Sequence, residues 1–363
     1  MKQISYKKYT FIFFIIAIFY TLYHFTIYSL YTSQIFTRAD KLYIGDIARV
    51  GYQTDALFPR KLEYTLPKRH LKKEDYTENL KIDIVTTGDS FSNAAMGGKN
   101  PYYQDYIATY YDKVVLNIVN SDGGKLHTFE PIVALANSGW FKKHKVSYVI
   151  IQSVERFCVM RYAKKFDFTK STIDLKRDIV SPRTTNSFIP HINFISTANY
   201  KFLYYTVQSK RKVHFHVDVD KLKLNKKLFT PKKFQDQLLI HHEDILSIPY
   251  NTKKNIQRLN SNFNHLAKLL QKENVTLIFM PTVDKYNLYY PYIQSNPYPK
   301  NHFFDYLRVL PKEYVFIDTK KILEPLLKQG VQNLYYPDDT HWSYKAIDAI
   351  VTSSTFKQLF MDR

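Results

Sequence analysis

The sequence predicts an α/β fold: a mainly parallel, five-stranded sheet preceded by an N-terminal transmembrane helix. Short runs rich in Val and Ile recur from Lys81 onward, stretches with apolar residues at helical spacing separate them, and a long uncharged apolar run occupies the N-terminus. Alternation of this kind is the pattern of strand–helix–strand construction, in which crossover helices cover a parallel sheet.

The apolar run comes first. Residues 9–31 (YTFIFFIIAIFYTLYHFTIYSLY) contain no Asp, Glu, Lys or Arg and are long enough to cross a hydrocarbon core of about 30 Å as a helix. A cleaved signal peptide would be shorter and would end at a small-x-small site, whereas this run ends in bulky residues. Lys2, Lys7 and Lys8 precede it, so the positive-inside rule places the N-terminus in the cytoplasm and the rest of the chain outside. His24 and several Thr and Ser are its polar exceptions. Residues 1–31 are therefore expected to be a single-pass anchor, 32–80 a juxtamembrane connector, and 81–363 the main domain.

Within that domain the candidate strands are residues 82–86, 114–119, 146–152, 275–280 and 314–318. Residues 131–144, 254–272, 303–310 and 343–360 carry apolar side chains at helical period, so each can cover a sheet face. Between about 161 and 251 the alternation lapses into a basic, polar and aromatic segment, read as an insertion that either shapes the substrate site or is a surface excursion.

Composition limits the chemistry. Cys158 is the one cysteine, so an intramolecular disulfide and a cysteine-rich zinc site are both excluded. The 52 Lys and Arg against 32 Asp and Glu give a net charge of +20, which favours a lipid surface or an acidic polysaccharide. Nucleic acid is not expected, because no arginine-rich cluster, aromatic RNA-binding signature or zinc-finger spacing accompanies the charge. His127, His144 and the His241-His242 pair have no ligand partner at suitable spacing, so neither a metal nor another cofactor is expected.

Two segments carry candidate catalytic residues. The first strand runs into Thr87-Gly88-Asp89-Ser90-Phe91-Ser92, which puts a serine at the carboxyl end of a strand, where open α/β sheets bind ligands. Near the C-terminus lies Tyr335-Tyr336-Pro337-Asp338-Asp339-Thr340-His341-Trp342-Ser343. A serine hydroxyl is a weak nucleophile until an imidazole accepts its proton and a carboxylate orients that imidazole. Asp and His so close together on one loop supply both. Arg156 either binds an anionic substrate group or pairs with Glu155, and Lys285 reads as a solvated loop lysine. Some of the aromatic residues at 286–298 are candidates for stacking on sugar rings.

Gly88-Asp89-Ser90-Phe91 resembles the first block of the SGNH, or GDSL-type, hydrolase superfamily, and Asp339-Thr340-His341-Trp342 resembles its closing Asp-His block. The tryptophan is similar to the subgroup of periplasmic alginate O-acetylation proteins and their DHHW-like relatives. The strand end Val154-Glu155-Arg156 and the turn Pro281-Thr282-Val283-Asp284-Lys285 also resemble that subgroup. The resemblance implies a flavodoxin-like three-layer sandwich and a catalytic triad of Ser90, His341 and Asp339. Superfamily spacing would instead select Asp338 as the acid. It also implies an oxyanion glycine, for which Gly123 is preferred, while the usual third-block asparagine has no counterpart. The implied activity is O-acyl transfer, most simply O-acetylation, onto a cell-envelope polysaccharide on the periplasmic side of the inner membrane. A membrane-bound O-acyltransferase would be the partner that delivers acyl groups. A carbohydrate esterase and a non-catalytic glycan assembly protein are the competing readings.

Overall fold

The computed structural model describes residues 6–36, 44–60, 66–71, 75–93, 98, 100–118, 129–170 and 192–361. Helix α1 (Tyr6–Ile27) continues through a wider turn, Tyr28–Thr32, into Ser33–Phe36. The result is a 31-residue helix, exposed along almost all of residues 6–23 and buried in places from His24 onward, long and apolar enough to cross a membrane. A short helix α2 (Asp46–Val50) follows.

The five strands expected from the sequence then appear in order: β1 (Ile84–Thr87), β2 (Val115–Asn117), β3 (Tyr148–Val154), β7 (Thr276–Thr282) and β8 (Val315–Phe316). They form one sheet in the order β2-β1-β3-β7-β8 with every pairing parallel. β1, β2 and β3 are buried along their whole length, which is why Val, Ile and Leu make up much of each and no polar face alternates with an apolar one.

Helices cover both faces. One face carries α3 (Tyr103–Tyr111), which lies after β1 and packs on the C-terminal helices. The other carries α4 (Phe129–Asn137) and α5 (Glu155–Tyr162). The insertion adds helix α6 (Thr197–Arg211) and a small antiparallel sheet of β4 (His214–His216), β5 (Val219–Lys223) and β6 (Gln237–His241). Helix α7 (Lys253–Gln271) then packs beside α4 and α5, and α8 (Phe303–Arg308) leads into β8. Finally α9 (Thr319–Lys328), α10 (Tyr344–Val351) and α11 (Ser354–Phe360) complete the first face. The predicted helix at 131–144 breaks at Gly139, whose φ of +71° lies in the left-handed region, and the one at 343–360 breaks between α10 and α11.

The expected connector is no mere spacer. Leu71 bridges β2 in parallel, its N–H donating to Val115 O at 2.7 Å. Ile47 and Ala56 share a small core with Phe215, Val219, Phe234 and Leu239 of the insertion. A third cluster joins Ile27, Ile35 and Phe36 at the foot of α1 to Ala198 and Phe202 of α6. Burial of these side chains ties α1, the segment that follows it and the insertion into one support beside the sheet.

Candidate active site

The sheet places two loops at its carboxyl edge, after β1 and after β3, which are neighbours although β1 leads on to β2. Such a reversal of direction opens a crevice in α/β sheets. Asp89 organises the first loop. Its Oδ1 accepts the Phe91 N–H, its Oδ2 accepts the Val154 N–H at 2.7 Å and an Arg161 N–H at 2.6 Å, and its carbonyl accepts the N–H groups of Ser92 and Asn93. Burial opposes ionisation, but Arg161 and the backbone donors still hold the Asp89 carboxyl below its ordinary pKa. Gly88 is required by space: a Cβ there would meet Gln152 Oε1 at 2.4 Å and Ser92 Oγ at 2.7 Å.

The loop thus fixed presents Ser90, partly exposed. Its Oγ lies 2.8 Å from His341 Nε2. His341 Nδ1 lies 2.5 Å from Asp339 Oδ1, which also accepts the His341 N–H at 3.0 Å. With Nδ1–H donated to the carboxylate, Nε2 is left as the acceptor for the serine proton. Burial disfavours the imidazolium, yet the charge and hydrogen bond of Asp339, with Asp46 adding, raise the His341 pKa above the ordinary 6.5. Asp339 is held well below the usual carboxylate range: burial works against this, but His341 and Arg60 outweigh it. Phe91 packs on the His341 ring at 4.6 Å, and the fully buried Trp342 meets Phe91 edge-on at 5.1 Å. The tryptophan therefore anchors the wall behind the imidazole.

Asp339, not Asp338, orients the histidine. Asp338 turns the other way and accepts the Gly45 N–H at 3.0 Å and both Arg60 terminal nitrogens, at 3.0 and 3.2 Å. Arg60 also donates to Asp339 Oδ2 at 2.9 Å and lies over the Tyr336 ring. Its guanidinium stays firmly charged, whereas burial and neighbouring Asp339 outweigh Arg60 at Asp338 and push that carboxyl up. Asp46 completes the loop's support by accepting the N–H and the hydroxyl of Thr340 at 2.8 and 2.7 Å. Gly45 permits this approach, since a Cβ there would fall 1.9 Å from Asp338 O.

Lys285 corrects the expectation of a solvated loop lysine. It is 1% exposed, and its Nζ donates to the carbonyls of Tyr336, Pro337 and Asp339 at 2.7, 3.2 and 3.0 Å. Burial lowers its pKa to about 8 against the pull of the surrounding aspartates. Arg156 does not pair with Glu155. It donates to Asp244 at 3.2 Å and Asp284 at 3.0 Å, while Glu155 accepts the Asp284 N–H and the Asn287 amide. Burial pushes the Glu155 carboxyl up to about 7.

Gly123 and His127 lie outside the described residues. Among the described residues no backbone acceptor takes the Ser90 N–H. His144 is buried between Tyr76 and the Leu80 carbonyl. His242, read as lacking a partner, instead meets His214 on the two oxygens of buried Asp220, at 2.7 and 2.8 Å; the three could hold a metal ion. No protein-family model matches this chain, and no curated protein matches it in sequence.

Proposed function

We propose that the chain is a membrane-anchored, extracytoplasmic O-acyltransferase of the SGNH type that modifies a cell-envelope polysaccharide through a serine acyl-enzyme. The unbroken hydrogen-bond line from Ser90 Oγ through His341 to Asp339 carries this reading. The strand order supports a flavodoxin-like sandwich, with Ser90 beside the crevice such sheets use.

In the first half-reaction His341 Nε2 takes the proton as Ser90 Oγ attacks the acyl carbonyl, and the Ser90 N–H faces the oxyanion. Collapse breaks the bond to the donor oxygen, which leaves with the proton from His341, and the acyl group remains as a serine ester. In the second half a sugar hydroxyl gives its proton to His341 as it attacks the ester carbonyl, and Ser90 Oγ leaves with that proton from His341 while the sugar keeps the acyl group. Asp339 stabilises the imidazolium in both halves without taking its proton. An α1 that spans the bilayer keeps the serine close to a membrane-bound O-acyltransferase as the acyl source.

Water attacking the same intermediate would make the chain an esterase, so the test includes an acceptor. Full chain in detergent is expected to release the phenol from an aryl acetate and, with envelope oligosaccharide present, to acetylate the sugar. Ser90→Ala and His341→Ala should abolish both. Unchanged glycan acetylation in cells carrying Ser90→Ala would overturn the proposal.

A further inference from the structure

The insertion carries a helix with two opposed apolar faces. α6 buries Ala198 and Phe202 against the foot of α1. Its outer side presents Leu203, Tyr204 and Val207, which are 40%, 58% and 46% exposed, with Tyr200, 48% exposed, at the margin where this side meets α1. These positions follow i, i+3, i+4 and i+7, so they form one stripe. A contiguous outward stripe of large apolar side chains, unlike scattered ones, marks a contact surface.

The stripe adjoins the anchor. Tyr200 stacks on Tyr23 with ring centroids 5.1 Å apart, and Phe202 stacks on Tyr31 at 4.5 Å. Asn199 bonds His24 Nδ1 at 2.7 Å and accepts the Thr32 hydroxyl at 2.7 Å. His24 therefore finds its partners on α6, as a polar group in an apolar span requires.

Length sets the height of these contacts. The 31-residue helix is about 46 Å long at ~1.5 Å per residue and exceeds a hydrocarbon core of about 30 Å. With Lys7 and Lys8 at the cytoplasmic headgroups, the core is crossed by about residue 28. Contacts at residues 23–32 then run from the outer part of the core into the outer interface, where tyrosines and flanking cations such as Lys201, Lys210 and Arg211 are favoured.

We propose that α6 lies in the outer interface of the bilayer that α1 crosses, with the Tyr200, Leu203, Tyr204 and Val207 stripe against lipid. This rests on the reading of α1 as a spanning anchor. Ile47 and Ala56 bind the insertion core, and Asp46 holds the Thr340 loop. The bilayer contact therefore fixes the height and tilt of the Ser90 mouth above the membrane and stops it swinging on a tether.

The test uses full chain in phosphatidylcholine and phosphatidylglycerol vesicles, labelled with an environment-sensitive dye at Leu203→Cys or Tyr204→Cys. Buried Cys158 does not compete for label. Val309→Cys is the control, because Val309 is 80% exposed and sits where the chain enters β8, at the sheet edge opposite the site. Both stripe labels are expected to be quenched severalfold more than the control by lipid-borne doxyl groups, and to be shielded from aqueous iodide. Iodide quenching at both positions equal to the control overturns the docking of α6 while the anchor stands, provided the chain resists alkaline carbonate. Release by carbonate overturns the anchor and the docking together.

Discussion

Replacing Arg60 by Leu is the sharpest perturbation of the site's support. The guanidinium is 1% exposed and serves two carboxylates that are equally buried, Asp338 and Asp339. Breaking one buried pair from the cationic side costs about 3–5 kcal/mol, because the carboxylate left behind has neither water nor countercharge. For a domain of this size that loss corresponds to a fall in Tm on the order of 10 °C. The deficit also depends on pH. Asp338 is raised even beside Arg60, and without the cation it rises further, so the folded variant retains a proton that the unfolded chain gives up. Stability from a raised carboxyl is present below its unfolded pKa and is lost as pH climbs toward the folded value. Arg60→Leu should therefore be less destabilised near pH 5 than near pH 8, and adding Asp338→Leu should restore part of the loss at pH 8. Urea unfolding of both variants at the two pH values reads this directly. A loss below about 1 kcal/mol, a surface-pair magnitude, or one equal at both pH values would refute the reasoning.

Other predictions concern the same loop. Asp339→Asn should lower kcat by about 10³–10⁴-fold by losing the productive imidazole tautomer, while Asp338→Asn should cost stability and leave kcat within about tenfold; the opposite ranking in steady-state assays would make Asp338 the triad acid. In the proposed reaction the neutral imidazole is the base, so kcat/KM should rise with pH through a midpoint above the ordinary histidine value of 6.5, in the direction Asp339 imposes. A pH–rate profile with its acid limb below that value would contradict the pairing. Gly45→Ala forces a Cβ to within 1.9 Å of the Asp338 carbonyl, so the loop must shift, and kcat should fall with little change in aryl acetate KM. Unaltered kinetics would show that the connector does not set the loop's position.

The legible parts of the molecule were those with local pattern. The central strands are buried on both faces and announce themselves by clustered Val and Ile, and Ser90, Asp339 and His341 sit in short motifs. Sheet β4-β5-β6 was missed because β4 and β5 set His, Asp and Lys among their apolar residues inside a basic, polar segment, so no strand pattern stands out. Arg60 and Asp46 reach Asp339 and Thr340 across more than 270 residues, and no spacing rule links such positions. Lys285 was misread for a related reason: an amine looks solvated until the fold wraps three carbonyls around it. The pairing of Arg156 with Asp244 and Asp284, in place of adjacent Glu155, likewise follows from a helix N-terminus meeting the insertion and the β7 loop, which is a tertiary event.

The central claim is that His341 makes Ser90 a nucleophile. Intact-mass measurement after rapid mixing of full chain with an aryl acetate, followed by peptide mapping, tests it most directly. An acetyl adduct confined to Ser90, absent in His341→Ala and discharged by added oligosaccharide, is the outcome the geometry requires. Turnover with no adduct on Ser90, or an adduct that forms equally fast without His341, would contradict it.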